Sequence, residues 1–214
     1  TAQDHKRVGE GDKGKNTGGM GCYSPSRLFT SDLAKKINTR IVNPTLSAIK
    51  DMGTKYKGFL YVGLMIKDNN PYLVEFNVRM GDPECQTILP LLEDDLTEIM
   101  INSCSGNLKK NEIKLSKKKS ICIVLCSKGY PEKYKNNTQI KNLGSLKLKK
   151  NEYLFHAGTK LENNEILSSG GRVLNFVSIS ENFKTSRDDV INLINQLSWG
   201  NGFFRKDIGY KVID

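Results

Sequence analysis

The stretch Glu75-Phe76-Asn77-Val78-Arg79-Met80-Gly81-Asp82-Pro83-Glu84 decides how the rest of the chain reads. In an extended strand successive side chains alternate between faces, so Glu75, Asn77 and Arg79 project to one side. Val74, Phe76 and Val78 project to the other, where they can anchor to a core. A carboxylate and an amide oxygen two residues apart can share a hard divalent cation, one that keeps several waters and binds substrate phosphates. Arg79 lies one step further on the same face, where its planar fork can grip a phosphoryl oxygen. Alternation alone marks any half-exposed strand. The continuation adds weight: Gly81-Asp82-Pro83-Glu84 is a turn signal carrying two more carboxylates directly after the strand.

Composition sets the frame around this site. With 214 residues and 37% hydrophobic content the chain can bury a real core as one large domain or two small ones. Its longest apolar run, Phe59 to Ile66, is far short of the ~18 residues of a membrane span, and no stretch has the pattern of a secretory leader. Five cysteines, odd in number and without Cys-x-x-Cys spacing, argue against a disulfide framework and a structural zinc site. A reducing cytoplasm is the compartment they suggest. Two histidines, His5 and His156, are too few for a histidine-built zinc centre.

The net charge of +10 raises the question of nucleic acid. Between Leu108 and Lys150 there are 13 lysines, no arginine and two acids, a balance of +11 that accounts for the whole excess. These lysines alternate with polar and aliphatic residues rather than with stacking aromatics, and no arginine fork is present for base edges. Solvated loops explain the charge better than a nucleic-acid surface, and a basic binding module stands only as the alternative from another functional class.

Along the chain, the first thirty residues are polar and glycine-rich and read as a long functional loop. Ser31 or Asp32 can cap a helix with Leu33, Ile37 and Ile41 on one face, continuing past a kink at Pro44 to Leu46 and Ile49. Strands are expected over 58–66 and 72–79, joined as a hairpin. One helix should then carry Ile88, Leu92, Leu96, Ile99 and Ser103 on a single side, with Gly106 beyond its end. The lysine run interrupts all periodicity, which places domains at 1–107 and 120–214 with a linker over 108–119. In the second half strands are expected at 121–126, 153–156 and 172–179 and a helix at 188–197. The chain opens at Thr1, in a polar loop and without methionine, and is read as a piece of a longer protein.

Several further stretches are family-specific. Asp4-His5-Lys6-Arg7, Asn16-Thr17-Gly18-Gly19-Met20-Gly21, Gly58-Phe59-Leu60-Tyr61, the 75–84 decapeptide, His156-Ala157-Gly158-Thr159-Lys160, Gly170-Gly171-Arg172-Val173-Leu174 and Arg205-Lys206-Asp207-Ile208-Gly209 resemble, in order and spacing, the motifs of the phosphoribosylamine-glycine ligase family. The resemblance covers essentially the whole chain. It implies an α+β architecture: the second part of an ATP-grasp domain, then a small C-terminal α+β domain with a mainly antiparallel sheet. It also implies ATP-dependent joining of glycine to 5-phosphoribosylamine through a glycyl phosphate, with ATP as co-substrate and Mg2+ or Mn2+ as the cation. Glu75 and Asn77 match the family's metal ligands, and Arg79 would steady the transferring phosphoryl group. Asp4, His5, Lys6, Asn16, Thr17, Gly18, Gly19, Asp82 and Glu84 would contact substrate. The glycines of the Asn16–Gly21 loop would let backbone N–H groups reach a phosphate or carboxylate. Two departures stand out: 58–66 contains no acid to serve as a further metal ligand, and the family's N-terminal half, with the adenine-gripping elements, is not represented. An exposed apolar surface on the first half is the expected consequence. Another ATP-grasp ligase with a different acid and amine is compatible with the Glu-x-Asn-x-Arg core, though the flanking motifs speak against it.

Overall fold

The computed structural model describes residues 1–108 and 113–213. Lys109 and Lys110, which belong to the expected linker, lie outside the described residues. The elements in chain order are β1 (Gln3–Asp4), β2 (Arg7–Gly9), β3 (Lys13–Asn16), β4 (Gly21–Ser24), α1 (Ser31–Ile37), α2 (Asn43–Asp51), β5 (Tyr61–Lys67), β6 (Asn70–Asn77), α3 (Glu84–Ile88), α4 (Leu96–Ser105), β7 (Lys119–Ser127), β8 (Glu152–His156), β9 (Thr159–Glu162), β10 (Glu165–Ser168), β11 (Arg172–Ser180), α5 (Phe183–Ile194) and β12 (Gly202–Phe203). They form two compact units interleaved along the sequence. One comprises Thr1–Pro25, Asp82–Leu91 and Lys117–Asp214, the other Ser26–Gly81 and Leu92–Ser116. The chain therefore passes between units four times, and only the last passage falls within 108–119.

The first unit is built on a six-stranded antiparallel sheet in the order β1-β4-β7-β11-β8, with β12 also paired to β7. β7 and β11 are buried along almost their whole length because α3 and α5 pack against both of them. That explains why Ile121 to Cys126 reads as a continuous apolar run rather than an alternating one. α5 starts at Asn182, whose side chain accepts the Thr185 N–H, and buries Val190, Leu193 and Ile194. The first thirty residues are not one loop. β4 is buried at every position and pairs with β7, and β1 pairs with β4. These strands escape sequence reading because neither has a local apolar period: β4 takes its order from β7, about a hundred residues away, and β1 from β4.

In the second unit the expected helix begins at Ser31 under a Thr30 cap and crosses a π-turn at Asn38–Val42 before α2. Pro44 sits in the first turn of α2, directly after the π-turn. The single helix expected over 88–103 is instead α3, a short 3-10 turn and α4, the last capped by Asp95 and closed by Gly106 in the left-handed conformation. Pro90 and the Asp94-Asp95 pair divide them. β5 and β6 form a two-stranded sheet whose tight turn, Asp68-Asn69, has φ of 50° and 54° at its two residues, the mirror-image turn that suits strand twist. Among the described residues no helix is long and apolar enough to cross a membrane.

Candidate active site

Across the hairpin Asn77 stands opposite Tyr61 and Glu75 opposite Gly63. A bulge at Val74 shifts the register before Leu73 meets Leu64. Gly63 is a requirement of this arrangement: a Cβ there would come within 2.9 Å of Glu75 Cγ, so the bare backbone makes room for the carboxylate to lie across β5. Glu75 and Asn77 share a face and make no side-chain hydrogen bond or ion pair within the described chain. Their oxygens are open, hard donors. No group of three or more His, Cys, Asp or Glu side chains suited to a metal occurs among the described residues. The pair fits a magnesium-like cation that takes its other ligands from phosphates and water. Arg79 lies past the end of β6, exposed, with Nη1 donating to the Met80 carbonyl at 2.8 Å.

The opposite face of β6 departs from expectation. Val74 and Val78 are 65% and 79% exposed, and Phe76 and Leu73 are exposed too, so these side chains anchor to no core here. α1 packs against β6 without covering them. An apolar surface on this half of the chain is thus present, as anticipated.

The remaining predicted site residues belong to the other unit. Asp4 and Lys6 alternate onto one face at the start of the chain, and Lys6 Nζ is 2.6 Å from Asp4 Oδ2. The Asp4 side chain is only 7% exposed, and its Oδ1 makes no hydrogen bond. Burial pushes its carboxyl up to about 6, against the pull of the Lys6 charge. The loop after β3 closes on it: with Gly19 at φ 123°, a Cβ would lie 2.8 and 2.9 Å from the two Asp4 oxygens and 2.6 Å from Pro83 Cδ.

That loop does not present its N–H groups outward, contrary to expectation. Thr17 N–H donates to Lys6 O, Gly18 N–H to the Tyr130 hydroxyl, Gly19 N–H to Thr17 Oγ1, and Met20 N–H to His5 O. Thr17 Oγ1 donates in turn to Lys6 O at 2.9 Å, and Asn16, exposed, pairs with Arg7 in the hairpin. The donors are consumed in fixing the loop. Arg172, which the sequence reading did not select, holds it from outside. Its Nη1 donates to Gly18 O at 3.0 Å, Asp82 O at 2.8 Å and Asp82 Oδ1 at 3.1 Å. A bulge at Val173 sets its strand position. The glycines before Arg172 signal a turn, but nothing local announces this reach. Asp82 also receives Gln86 Nε2, whereas Glu84 is buried at the start of α3 and is no exposed ligand.

His5 is the clearest departure from a substrate-contacting role. It is fully buried, Nε2 accepts the Gly209 N–H at 3.1 Å, and Nδ1 faces Asp12 Oδ1 at 3.4 Å. Burial, then the nearby Arg205 charge, lower its pKa to about 4. Asp12 also receives Arg205, Tyr210 and Lys211, and Arg205 makes two bonds to Asp207. His5 is thus part of a polar core joining residues 5–12 to 205–211.

Two family models match this chain. The phosphoribosylglycinamide synthetase ATP-grasp (A) domain matches residues 1–85 and the phosphoribosylglycinamide synthetase C domain matches 120–211. The chloroplastic phosphoribosylamine–glycine ligase of Arabidopsis thaliana is 40% identical over all of the chain and 41% of its own length. That of Agrobacterium fabrum is also 40% identical, over all of the chain and 50% of its own. The chain spans about half the length of the relatives it matches. The crystal structure of the phosphoribosylamine–glycine ligase of Thermotoga maritima superposes with a TM-score of 0.83 at 31% identity, covering 96% of this chain and 50% of that one. A biotin carboxylase of Campylobacter jejuni, at 16% identity and TM-score 0.60 over 90% of this chain and 41% of its own, shares the fold alone.

Proposed function

The chain belongs to the phosphoribosylglycinamide synthetase family, and from that premise we propose that it carries the metal- and acyl-phosphate-handling part of an ATP-dependent ligase joining glycine to 5-phosphoribosylamine. The observation that carries this reading is the pair Glu75 and Asn77, on one face of a strand and, among the described residues, without a side-chain hydrogen-bond or ion-pair partner, opposite a neighbour that supplies only Gly63 to the carboxylate. These two residues would hold Mg2+ or Mn2+. When bound, that cation supplies charge neutralisation on the transferring phosphoryl group.

In the proposed reaction a glycine carboxylate oxygen attacks the γ-phosphorus of ATP, the bond to ADP breaks, and glycyl phosphate forms. The amine of phosphoribosylamine then attacks the acyl carbon, phosphate leaves, and the nitrogen sheds a proton. Arg79, released from the Met80 carbonyl, offers a fixed charge to the phosphoryl oxygens. Within the first unit, Asp82, steadied by Arg172, and the Thr17–Gly19 loop are the candidate substrate contacts. We place the adenine pocket in the part of the relatives' length that this chain does not match. Five free cysteines, three of them buried, suit a reducing compartment such as the cytoplasm.

The test is phosphate release from ATP with glycine and freshly generated phosphoribosylamine. The chain alone should give none, and the chain supplied with the unmatched part of the Agrobacterium relative should give glycine-dependent release. Robust turnover by the chain alone, or none that depends on glycine after docking of the two parts, would overturn the reading.

A further inference from the structure

Two stretches of distinctive sequence in the first unit, 156–160 and 170–174, pack together through their glycines. A Cβ on Gly158 would stand 2.6 Å from the Arg172 carbonyl oxygen and 2.7 Å from Gly170 Cα, so a side chain there would part the two segments. The end of β7 fastens the same turn. Ser127 N–H donates to the Gly171 carbonyl and Ser127 Oγ to the Gly170 carbonyl, both at 2.8 Å. Tyr130 then lies against Gly171 so closely that a Cβ on the glycine would be 2.2 Å from ring carbon Cδ2. The bare Gly171 backbone admits the ring, and packing against it fixes where the hydroxyl points.

Tyr130 and Arg172 meet at Gly18. Its N–H donates to the Tyr130 hydroxyl at 2.9 Å and its carbonyl accepts Arg172 Nη1 at 3.0 Å, from side chains 112 and 154 residues along the chain. Lys6 Nζ adds a 3.5 Å contact to the same carbonyl. Arg172 Nη1 also donates to the Asp82 carbonyl at 2.8 Å and to Asp82 Oδ1 at 3.1 Å. One guanidinium thus sets the spacing between Asp82 and the Thr17–Gly19 loop. Hydrogen bonds as exposed as those at Gly18 add little to global stability, whereas a glycine loop left unheld samples many conformations.

We propose that Tyr130 and Arg172 are positioning residues of the ligase: they hold the Thr17–Gly19 loop and Asp82 in the arrangement that would meet substrate, and act through those groups rather than on the reacting atoms. The proposal rests on the ligase reading above. Tyr130 fixes the loop alone and Arg172 fixes loop and Asp82 together, so loss of Arg172 should cost more. Gly158 and Gly171 serve the same end, the first by admitting the turn that carries Arg172 and the second by admitting the tyrosine ring.

The first measurement is amide hydrogen exchange on the chain, wild type against Tyr130→Phe. The variant removes only the acceptor of the Gly18 N–H, so Gly18 should exchange at least about tenfold faster while β7 and β11 amides keep their rates. The second is steady-state kinetics of the ligase reassembled with the unmatched part of the Agrobacterium relative. Tyr130→Phe should lower kcat/KM for glycine, phosphoribosylamine or both by about one order of magnitude and Arg172→Ala by about two, with KM for ATP unchanged. Guanidinium at a sub-denaturing concentration should restore part of the Arg172→Ala loss, and Tyr130→Phe decides alone if Arg172→Ala does not fold. A merely structural role gives another pattern: less folded enzyme, kcat reduced alike for every substrate and each KM unchanged. That pattern, an unchanged Gly18 rate in Tyr130→Phe, or a faster rate with unaltered kinetics would each overturn the proposal and leave the ligase reading standing. A wild-type ligase without glycine-dependent turnover would remove that reading and the positioning role with it, and a faster Gly18 would then mark a structural contact alone.

Discussion

At the scale of single residues, the site was legible where chemistry follows from strand alternation and illegible where it follows from burial. Glu75 and Asn77 share a face because period two is a local rule, and a mutation there should act on chemistry alone. Glu75→Gln in the reassembled ligase is expected to lower turnover by about two orders of magnitude, the usual weight of one electrostatic contact to the reacting group, with an unchanged melting temperature. Normal turnover would take Glu75 out of the mechanism. His5 and Asp4 are adjacent polar residues that the sequence could not separate, and their pH behaviour is opposite. The folded chain holds His5 at about 4 against 6.5 when unfolded, so the unfolded state takes up the proton first and stability falls from pH 6.5 down to 4. The folded chain holds Asp4 at about 6 against 3.8 when unfolded, so stability rises as pH falls from 6 to 3.8. Each shift is worth on the order of 3 kcal/mol at most, and the two should nearly cancel between pH 6 and 4. Asp4→Asn is therefore expected to be more stable than wild type at pH 7 and to lose stability more steeply on acidification. Urea titrations at pH 7, 5.5 and 4.5 check both signs, and a less stable Asp4→Asn at pH 7 would contradict the first.

At the scale of elements, β7 and β11 were readable from their apolar runs, and α5 from its apolar period, although it starts at Phe183 under an Asn182 cap rather than at 188 and ends at Ile194. β1 and β4 were not: Gly21-Cys22-Tyr23-Ser24 is a strand only because β7 offers it an edge. The helix expected over 88–103 failed for a local reason, since the periodic side chains were counted across Pro90 and the Asp94-Asp95 pair. The β5–β6 hairpin was read correctly as an element and incorrectly as one with an apolar face against a core. A two-stranded sheet with Val74, Phe76 and Val78 in water has little burial to hold it. Amide exchange in β5 and β6 should be at least about a hundredfold faster than in β7 and β11, corresponding to ~3 kcal/mol of difference in opening free energy. Equal protection would mean that the hairpin opens only with the rest of the chain.

At the scale of the whole molecule, no local pattern could disclose that one compact unit is assembled from three separate stretches. What closes it is the polar core at Arg205, a side chain 1% exposed that donates to Asp12, Asp207 and the Arg7 carbonyl. Arg205→Met would leave those acceptors short of a donor and is expected to destabilise the unit by on the order of 3 kcal/mol, read as a shift in urea midpoint. A change within experimental error would show that the network is ornamental. The interleaving also bears on synthesis. Translation delivers β4 long before β7, so β4 waits for that partner while roughly a hundred further residues are added, and the polar cluster at residues 5–12 waits for residues 205–211, roughly two hundred residues on. The hairpin and α4 emerge in that interval and can form first, each from neighbouring residues. Assembly on the ribosome then does not follow the order in sequence: residues 5–12 become native only when residues 205–211 arrive.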